Sequence, residues 1–326
     1  MATVQPLLFP ECPELLRLDA VEKKLASALE CESPGASRIA GHVFQARGKR
    51  LRPLLVLLIS SLAPADDEAV AAVAAASELV HVASLIHDDI IDEAEERRGA
   101  PSTHVVWGRH SAVLAGDFLF ARAFSLLVEH RQHGAVRYFS RAIADMCESE
   151  MEQAHSRFDP DAGQAAYFRR VHKKTASLFV ACCRAGADLS SLEPELTNSL
   201  EHFGRDFGMA FQITDDLLDF TATPEECGKP VAADFPRGII TLPTAYLLED
   251  AHLSGPVREL LRRRKITPED WRQVRDLAVA SGALEEARSV AQQYAAKASA
   301  ALEKLPRVRQ RDLLHKLCYD VLERRR

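Results

Sequence analysis

The chain has little glycine (15 residues) and little proline (16), and aromatic side chains make up only 6% of its 326 residues. These shortages argue against a collagen-like, low-complexity or turn-rich chain and leave room for long uninterrupted helices. The seven cysteines are odd in number, scattered, and without a C-x-x-C pair, which excludes a disulfide framework or zinc ribbon and predicts free thiols in a reducing cytoplasm. There is no basic excess: Lys+Arg 41 against Asp+Glu 47 leaves a net charge of −6. A nucleic-acid partner needs a basic face, so none is expected; the clusters "RRRK" (262–265) and "RRR" (324–326) read as solvated surface. The N-terminus "MATVQPLLFPECPELL" has no basic n-region, so no signal peptide is expected. The longest apolar run, "PLLVLLISSLAPA", is too short to span a bilayer, which predicts a soluble protein without a transmembrane segment.

Apolar content is plentiful, 47%, and it recurs at spacings of three and four in "AVAAVAAASELVHVASLI", "SAVLAGDFLFARAFSLLV" and "ALEEARSVAQQYAAKASAALEKL". Val, Ile and Thr seldom alternate with polar residues, so the expected class is all-α. In "ITPEDW", Thr267 as cap, Pro268 in the first turn and the acids that follow mark a helix start. No linker or tandem repeat divides residues 1–326, so one large helical domain is expected. Loops are expected at "SSLAPADDE", "FDPDAGQ" and "TATPEECGKPVAADFPRG".

Against this background, "SLIHDDIIDEAEERRG" stands out, with six carboxylates between Asp88 and Glu96 directly after an apolar run. Asp88 and Asp92 stand four apart and share a helix face, with Asp89 beside them. The same spacing recurs in "FQITDDLLDF", as Asp215, Asp216 and Asp219, again inside an apolar segment. One D-D-x-x-D arises by chance on a surface helix, but two copies that interrupt hydrophobic stretches call for cations. Carboxylates are hard ligands, and Mg²⁺ takes one or two of them plus waters and substrate phosphates. Calcium fits less well, because no EF-hand-like loop is present. Zinc fits least, because His87 is a lone histidine and no cysteine has ligand spacing.

Fixed cations lie near these motifs. "GKRLRP" supplies Lys49, Arg50 and Arg52, "RRG" supplies Arg97 and Arg98, "HKKTASLF" supplies Lys173 and Lys174, and "CGKP" supplies Lys229. Taken singly each is an ordinary surface charge; beside two acidic sets they read as phosphate contacts.

In this combination the sequence resembles the trans-isoprenyl diphosphate synthase (polyprenyl synthetase) family, from "GKRLRP" to "TLPTAYLLED" and more weakly beyond. The resemblance implies an all-α bundle around a deep central cavity, usually homodimeric, with the aspartate motifs facing one another at its mouth. It implies a Mg²⁺-dependent prenyltransferase of isoprene biosynthesis that condenses isopentenyl diphosphate with an allylic prenyl diphosphate. Carried over by position, isopentenyl diphosphate falls to Lys49, Arg52, His81 and Arg98. The allylic diphosphate is held through metal by Asp88, Asp89, Asp92 and Asp215, with Asp216 and Asp219 nearby. Arg97, Lys174 and Lys229 contact it directly, and Thr175 and Gln212 line the reacting centre. Asp88, Asp89, Lys174 and Asp215 are the expected catalytic residues. Glu148 and Gln153 match a family helix without an arguable role.

One departure is visible. Many members read G-K-x-T-L-P where this chain has "GIITLP", so Ile239 replaces a lysine and one phosphate contact is lost. Ala83 and Ser84 occupy the positions five and four before Asp88, where short-chain members carry an aromatic. The resemblance therefore implies a medium- or long-chain product, with Phe139 or Phe118 as candidate floor of the tunnel; a farnesyl- or geranylgeranyl-length product is the alternative. A class I terpene cyclase would replace the second D-D-x-x-D with another metal motif, and a non-catalytic partner subunit would have lost aspartates or cations.

Overall fold

With few glycines and prolines to interrupt it, the chain folds into helices. The computed structural model describes residues 14–44, 48–97, 99–221 and 234–323. They fall into two compact units: Met1–Ile143 with Ala181–Glu201 and Leu305–Leu314, and Ala144–Val180 with His202–Lys304 and His315–Arg326. Among the described residues the only strands are a two-residue pair, which agrees with the all-α expectation.

The first unit contains α1 (Glu14–Ala28), α2 (Pro34–Val43), α3 (Leu51–Ser60), α4 (Asp67–Ile91), the strands β1 (Glu96–Arg97) and β2 (Ala100–Pro101), α5 (Thr103–Trp107) and α6 (Arg109–Glu129). Its centre is α4. Asp66 caps this helix by accepting from the amides of Glu68 (2.9 Å) and Ala69 (3.4 Å), and Asp67 and Glu68 meet the positive end of the helix dipole. Beyond that turn every residue from Ala69 to Val80 is buried, because α1, α3 and α6 all pack on α4. In α3, every residue from Leu54 to Ile59 is buried, so truncating Leu57 to alanine should cost about 2–5 kcal/mol.

Both α4 and α6 are long and apolar enough to cross a membrane, which a count of unbroken apolar residues does not reveal. The most apolar window of α4 is 83% buried, as befits a core helix; that of α6 is only 33% buried. Val113, Leu114 and Val128 on α6, and Val105 and Val106 on α5, are exposed.

The second unit contains α8 (Gln164–Val171), a π-helical turn (His172–Ala176), and the helices α11 (Leu242–Glu249), α12 (Ser254–Arg263), α13 (Pro268–Ala280) and α14 (Ala283–Ala301). The helices α7 (His133–Ser156), α9 (Ser177–Leu189), α10 (Pro194–Thr221) and α15 (Arg309–Asp320) each contribute residues to both units. Its core gathers Tyr167, Met209, Ile213, Leu217, Phe220, Phe235 and Trp271, with the rings of Phe220 and Trp271 4.8 Å apart. At the start of α13, Thr267 and Asp270 form the reciprocal capping box that "ITPEDW" predicts. Gly238 has φ +76°, and a Cβ there would fall 2.5 Å from the Phe158 ring, so this turn requires glycine. Ile239, which follows it, is buried and therefore belongs to the core. The loops at 61–66 and 157–163 lie where expected; residues 222–233 of the third lie outside the described residues.

Candidate active site

The first aspartate set ends α4. The Asp92 amide still donates to the Asp88 carbonyl (2.8 Å), so the last turn is intact and the two carboxylates share one half-buried face. Asp89 is turned inward, 5% exposed. The helix stops at Ile91, so Arg97 does not continue it as a helical neighbour. Instead Gly99, at φ +74°, turns the chain into a hairpin that pairs Arg97 with Ala100. Arg97 thereby reaches back to Asp89: Nε donates to Oδ1 at 2.8 Å, and Nη2 donates to the same oxygen. A small cavity of about 50 Å³ adjoins this pair, lined by His42, Phe44, Arg50, Asp89, Arg97 and Ser102 among others.

His87 lies away from the aspartates, with Nε2 3.2 Å from the Val113 carbonyl and 3.6 Å from Asp117. Arg52 is buried in the first turn of α3, Lys49 is exposed just before it, and His81 is half-buried one to two turns before the aspartates. Arg50 does not join the phosphate cations suggested by "GKRLRP": its guanidinium is committed to Glu22 (2.7 Å) and Glu78 (2.7 Å). Ala83 is fully buried, Ser84 donates to the His81 carbonyl (2.8 Å), Phe139 is fully buried and Phe118 half-buried.

The second set lies in the last turns of α10. Asp215 is half-buried, while Asp216 and Asp219 are 6% and 9% exposed. Asp216 is held on both oxygens. Tyr167 donates its hydroxyl to Oδ2 at 2.6 Å, and the Gln212 amide donates to Oδ1 at 2.8 Å. Thr175 in turn donates to Gln212 Oε1 at 2.7 Å, which orients that amide. This contact depends on Gly208, where a Cβ would stand 2.6 Å from Ala176 Cα; α10 can approach the π turn only because Gly208 has none. Burial first, and the Asp234 carboxylate second, push the Asp216 carboxyl up to about 7 despite these donors and nearby Arg170. Burial and the Asp216 charge raise the Tyr167 hydroxyl well above its usual value, so it remains a donor. A second cavity of about 200 Å³ lies beside Tyr167, bounded by Gln153, Ala166, Arg170 and Ile240 among others.

The "KKT" segment forms a π-helical turn between α8 and α9. Such a turn shifts the register of successive side chains and often marks functional positions. It sends Lys173 to Glu148 (2.8 Å) and Glu152 (2.9 Å), and Lys174 to Glu150. Glu148 thus acquires a role that its local sequence does not signal. Tyr167, Arg170, Asp234 and Glu150 were not among the expected site residues. All come from other elements, and only the strict spacing of the motifs around them hints at their presence. Arg98 and Lys229 lie outside the described residues.

Among the described residues, no three His, Cys, Asp or Glu side chains converge as a ready-made metal site. The donors still suit a hard divalent cation. They are carboxylates alone, His87 is engaged elsewhere, and Asp216 is a buried acid whose charge lacks a cationic partner strong enough to offset burial. Asp88, Asp89 and Asp92, and Asp215, Asp216 and Asp219, are the residues that could hold such ions.

Residues 34–278 match the family described as Polyprenyl synthetase. The chain is 35% identical over 297 residues to heptaprenyl diphosphate synthase component 2 of Bacillus subtilis, covering 91% of this chain and 85% of that protein. It is 34% identical over 328 residues to the chloroplastic solanesyl diphosphate synthase 1 of Arabidopsis thaliana, covering 98% and 80%. A crystal structure of polyprenyl synthase from Caulobacter crescentus, complexed with calcium and isoprenyl diphosphate, superposes with a TM-score of 0.92 at 34% identity, covering 99% and 98%.

Proposed function

The chain belongs to the polyprenyl synthetase family, and from that premise we propose that it condenses isopentenyl diphosphate with an allylic prenyl diphosphate to build a medium- or long-chain all-trans polyprenyl diphosphate. It is a prenyltransferase. The observation that carries the site reading is the shared build of the two aspartate sets. In each, the second aspartate is buried and locked by its own neighbours, which fixes the turn that presents the first and third.

In this reading Asp88, Asp89, Asp92, Asp215, Asp216 and Asp219 hold Mg²⁺, which when bound neutralises the charge of the departing diphosphate. Arg97, Lys174 and Lys229 bind the allylic diphosphate oxygens. Arg97 pairs with Asp89 and Lys174 with Glu150, so the diphosphate oxygens compete with these carboxylates for both cations. The allylic C–O bond breaks with its electron pair leaving on diphosphate. Lys49, Arg52, His81 and Arg98 hold isopentenyl diphosphate so that its double bond attacks the allylic carbon, and a proton is then lost to the released diphosphate. Thr175 and Gln212 line the reacting centre, and the surrounding apolar helices exclude water that would quench the cation.

The whole chain acts as one synthase domain. It works as a homodimer, supported by the exposed apolar side chains of α5 and α6, Val105, Val106, Val113, Leu114 and Val128. The Bacillus subtilis relative is named as a component, so an obligatory second kind of subunit is the alternative, and the mass of the purified active species decides between them. The free thiols of Cys31, Cys147, Cys182, Cys183 and Cys318 support a cytoplasmic location.

Sizing the products formed from isopentenyl diphosphate, Mg²⁺ and separate allylic primers tests the activity. Ala83→Phe tests the length: a ring in place of this buried alanine should stop elongation at farnesyl or geranylgeranyl length, at a stability cost of about 1–3 kcal/mol. A wild-type product no longer than geranylgeranyl would overturn the medium- or long-chain reading.

A further inference from the structure

The segment that carries Lys49 and Arg52 is short, and its geometry depends on Arg50, which lies between them with Leu51. Arg50 is the N-cap of α3 and takes the left-handed conformation, φ 51° and ψ 35°, which a non-glycine residue adopts at a cost. Its side chain is 5% exposed. Three elements converge on it. Glu22 of α1 accepts from Nε at 2.7 Å and from Nη2 at 3.4 Å, and Glu78 of α4, itself 2% exposed, accepts from Nη1 at 2.7 Å. The Phe44 ring, just after α2, lies 5.6 Å below the guanidinium carbon. Burial opposes the charge of Arg50, but the two glutamates outweigh it and hold the group protonated more firmly than usual. A buried charge network that forces a strained backbone value on one residue fixes where its neighbours point.

We propose that Arg50 is a positioning residue for isopentenyl diphosphate: locked by Glu22 and Glu78, it sets the backbone from which Lys49 and Arg52 reach the substrate's diphosphate. The inference rests on the assignment of Lys49 and Arg52 to that substrate. Arg50 acts through its neighbours, because all three of its guanidinium nitrogens are engaged by the two glutamates. Glycine at position 50 would accept the same φ without holding it, and lysine would keep the charge while losing the fork that engages two carboxylates at once.

The test is steady-state kinetics of Arg50→Lys, Glu78→Gln and Arg52→Ala, with thermal unfolding of each. Arg50→Lys and Glu78→Gln should raise KM for isopentenyl diphosphate at least tenfold. kcat at saturation and KM for the allylic primer should stay within about twofold, and the double variant should be no worse than the poorer single. Glu22→Gln, at the more exposed partner, should give the same pattern more weakly, and serves if Glu78→Gln fails to fold. If Arg52→Ala raises this KM but the Arg50 and glutamate variants leave it unchanged, or raise both KM values equally, the positioning role is wrong. If Arg52→Ala itself leaves KM for isopentenyl diphosphate unchanged, the substrate assignment fails instead.

Discussion

The two aspartate sets have the same spacing but are braced differently. Asp89 in the first is neutralised by a charged partner, Arg97, delivered by a hairpin eight residues on. Asp216 in the second has, among the described residues, neutral donors in direct contact: Gln212 one turn earlier on the same helix, and Tyr167 from a helix 49 residues away. The consequence is electrostatic. With Asp234 nearby and burial nearly complete, Asp216 is pushed up to about 7, which a directly bonded guanidinium would oppose. The same motif can therefore be a satisfied ion pair on one helix and an acid in need of a cation on another. Spacing alone does not say which.

The largest effects are expected at the half-buried first aspartates of the two sets. Asp88→Ala and Asp215→Ala should each lower kcat by on the order of a hundred- to a thousandfold, with circular dichroism unchanged. A large loss in one and none in the other would mean that the sets are not functional equals.

Smaller effects separate the two braces. Arg97→Ala removes the guanidinium bonded to the buried Asp89 and should destabilise the protein by roughly 2–3 kcal/mol, less in high salt only to the extent that the half-exposed guanidinium was screened already. Tyr167→Phe removes one neutral hydrogen bond and should cost about 1–2 kcal/mol in urea unfolding. Equal costs would erase the distinction.

The finest test is pH. A carboxyl whose folded-state value lies above its unfolded value binds protons more readily when folded. Its contribution is therefore fully present below about pH 4 and lost as pH rises toward 7. Metal-free wild type should lose stability over that interval relative to Asp216→Asn, by on the order of 1–4 kcal/mol. Parallel stability profiles would show that Asp216 titrates normally.

Much of this was legible in the residues. Apolar spacing and scarce glycine announce the helices, "ITPEDW" announces its capping box, and the duplicated D-D-x-x-D announces both aspartate sets. Long-range partners were not legible. Tyr167 looks like any helix tyrosine, and nothing near it points to Asp216, 49 residues away. Arg50 has the same local appearance as Arg52, yet the fold uses its charge internally, because two glutamates from α1 and α4 meet there. The π turn at Lys173 and Lys174 has no sequence signature, since it arises from how α8 and α9 must be joined. Ile239 appeared as a missing phosphate contact, and its burial shows that the position serves the core.

In the proposed reaction both aspartate sets act on the departure of one allylic diphosphate. This is tested most directly by measuring solvolysis of the allylic diphosphate without isopentenyl diphosphate, with Mg²⁺ in ¹⁸O-labelled water, for wild type, Asp88→Ala, Asp215→Ala and the double variant. Wild type should form labelled prenyl alcohol slowly, each single variant should show a similar large loss, and the double variant should be scarcely worse than either, as for residues that act as a unit. Undiminished labelled alcohol from either single variant, or losses that multiply in the double, would contradict it.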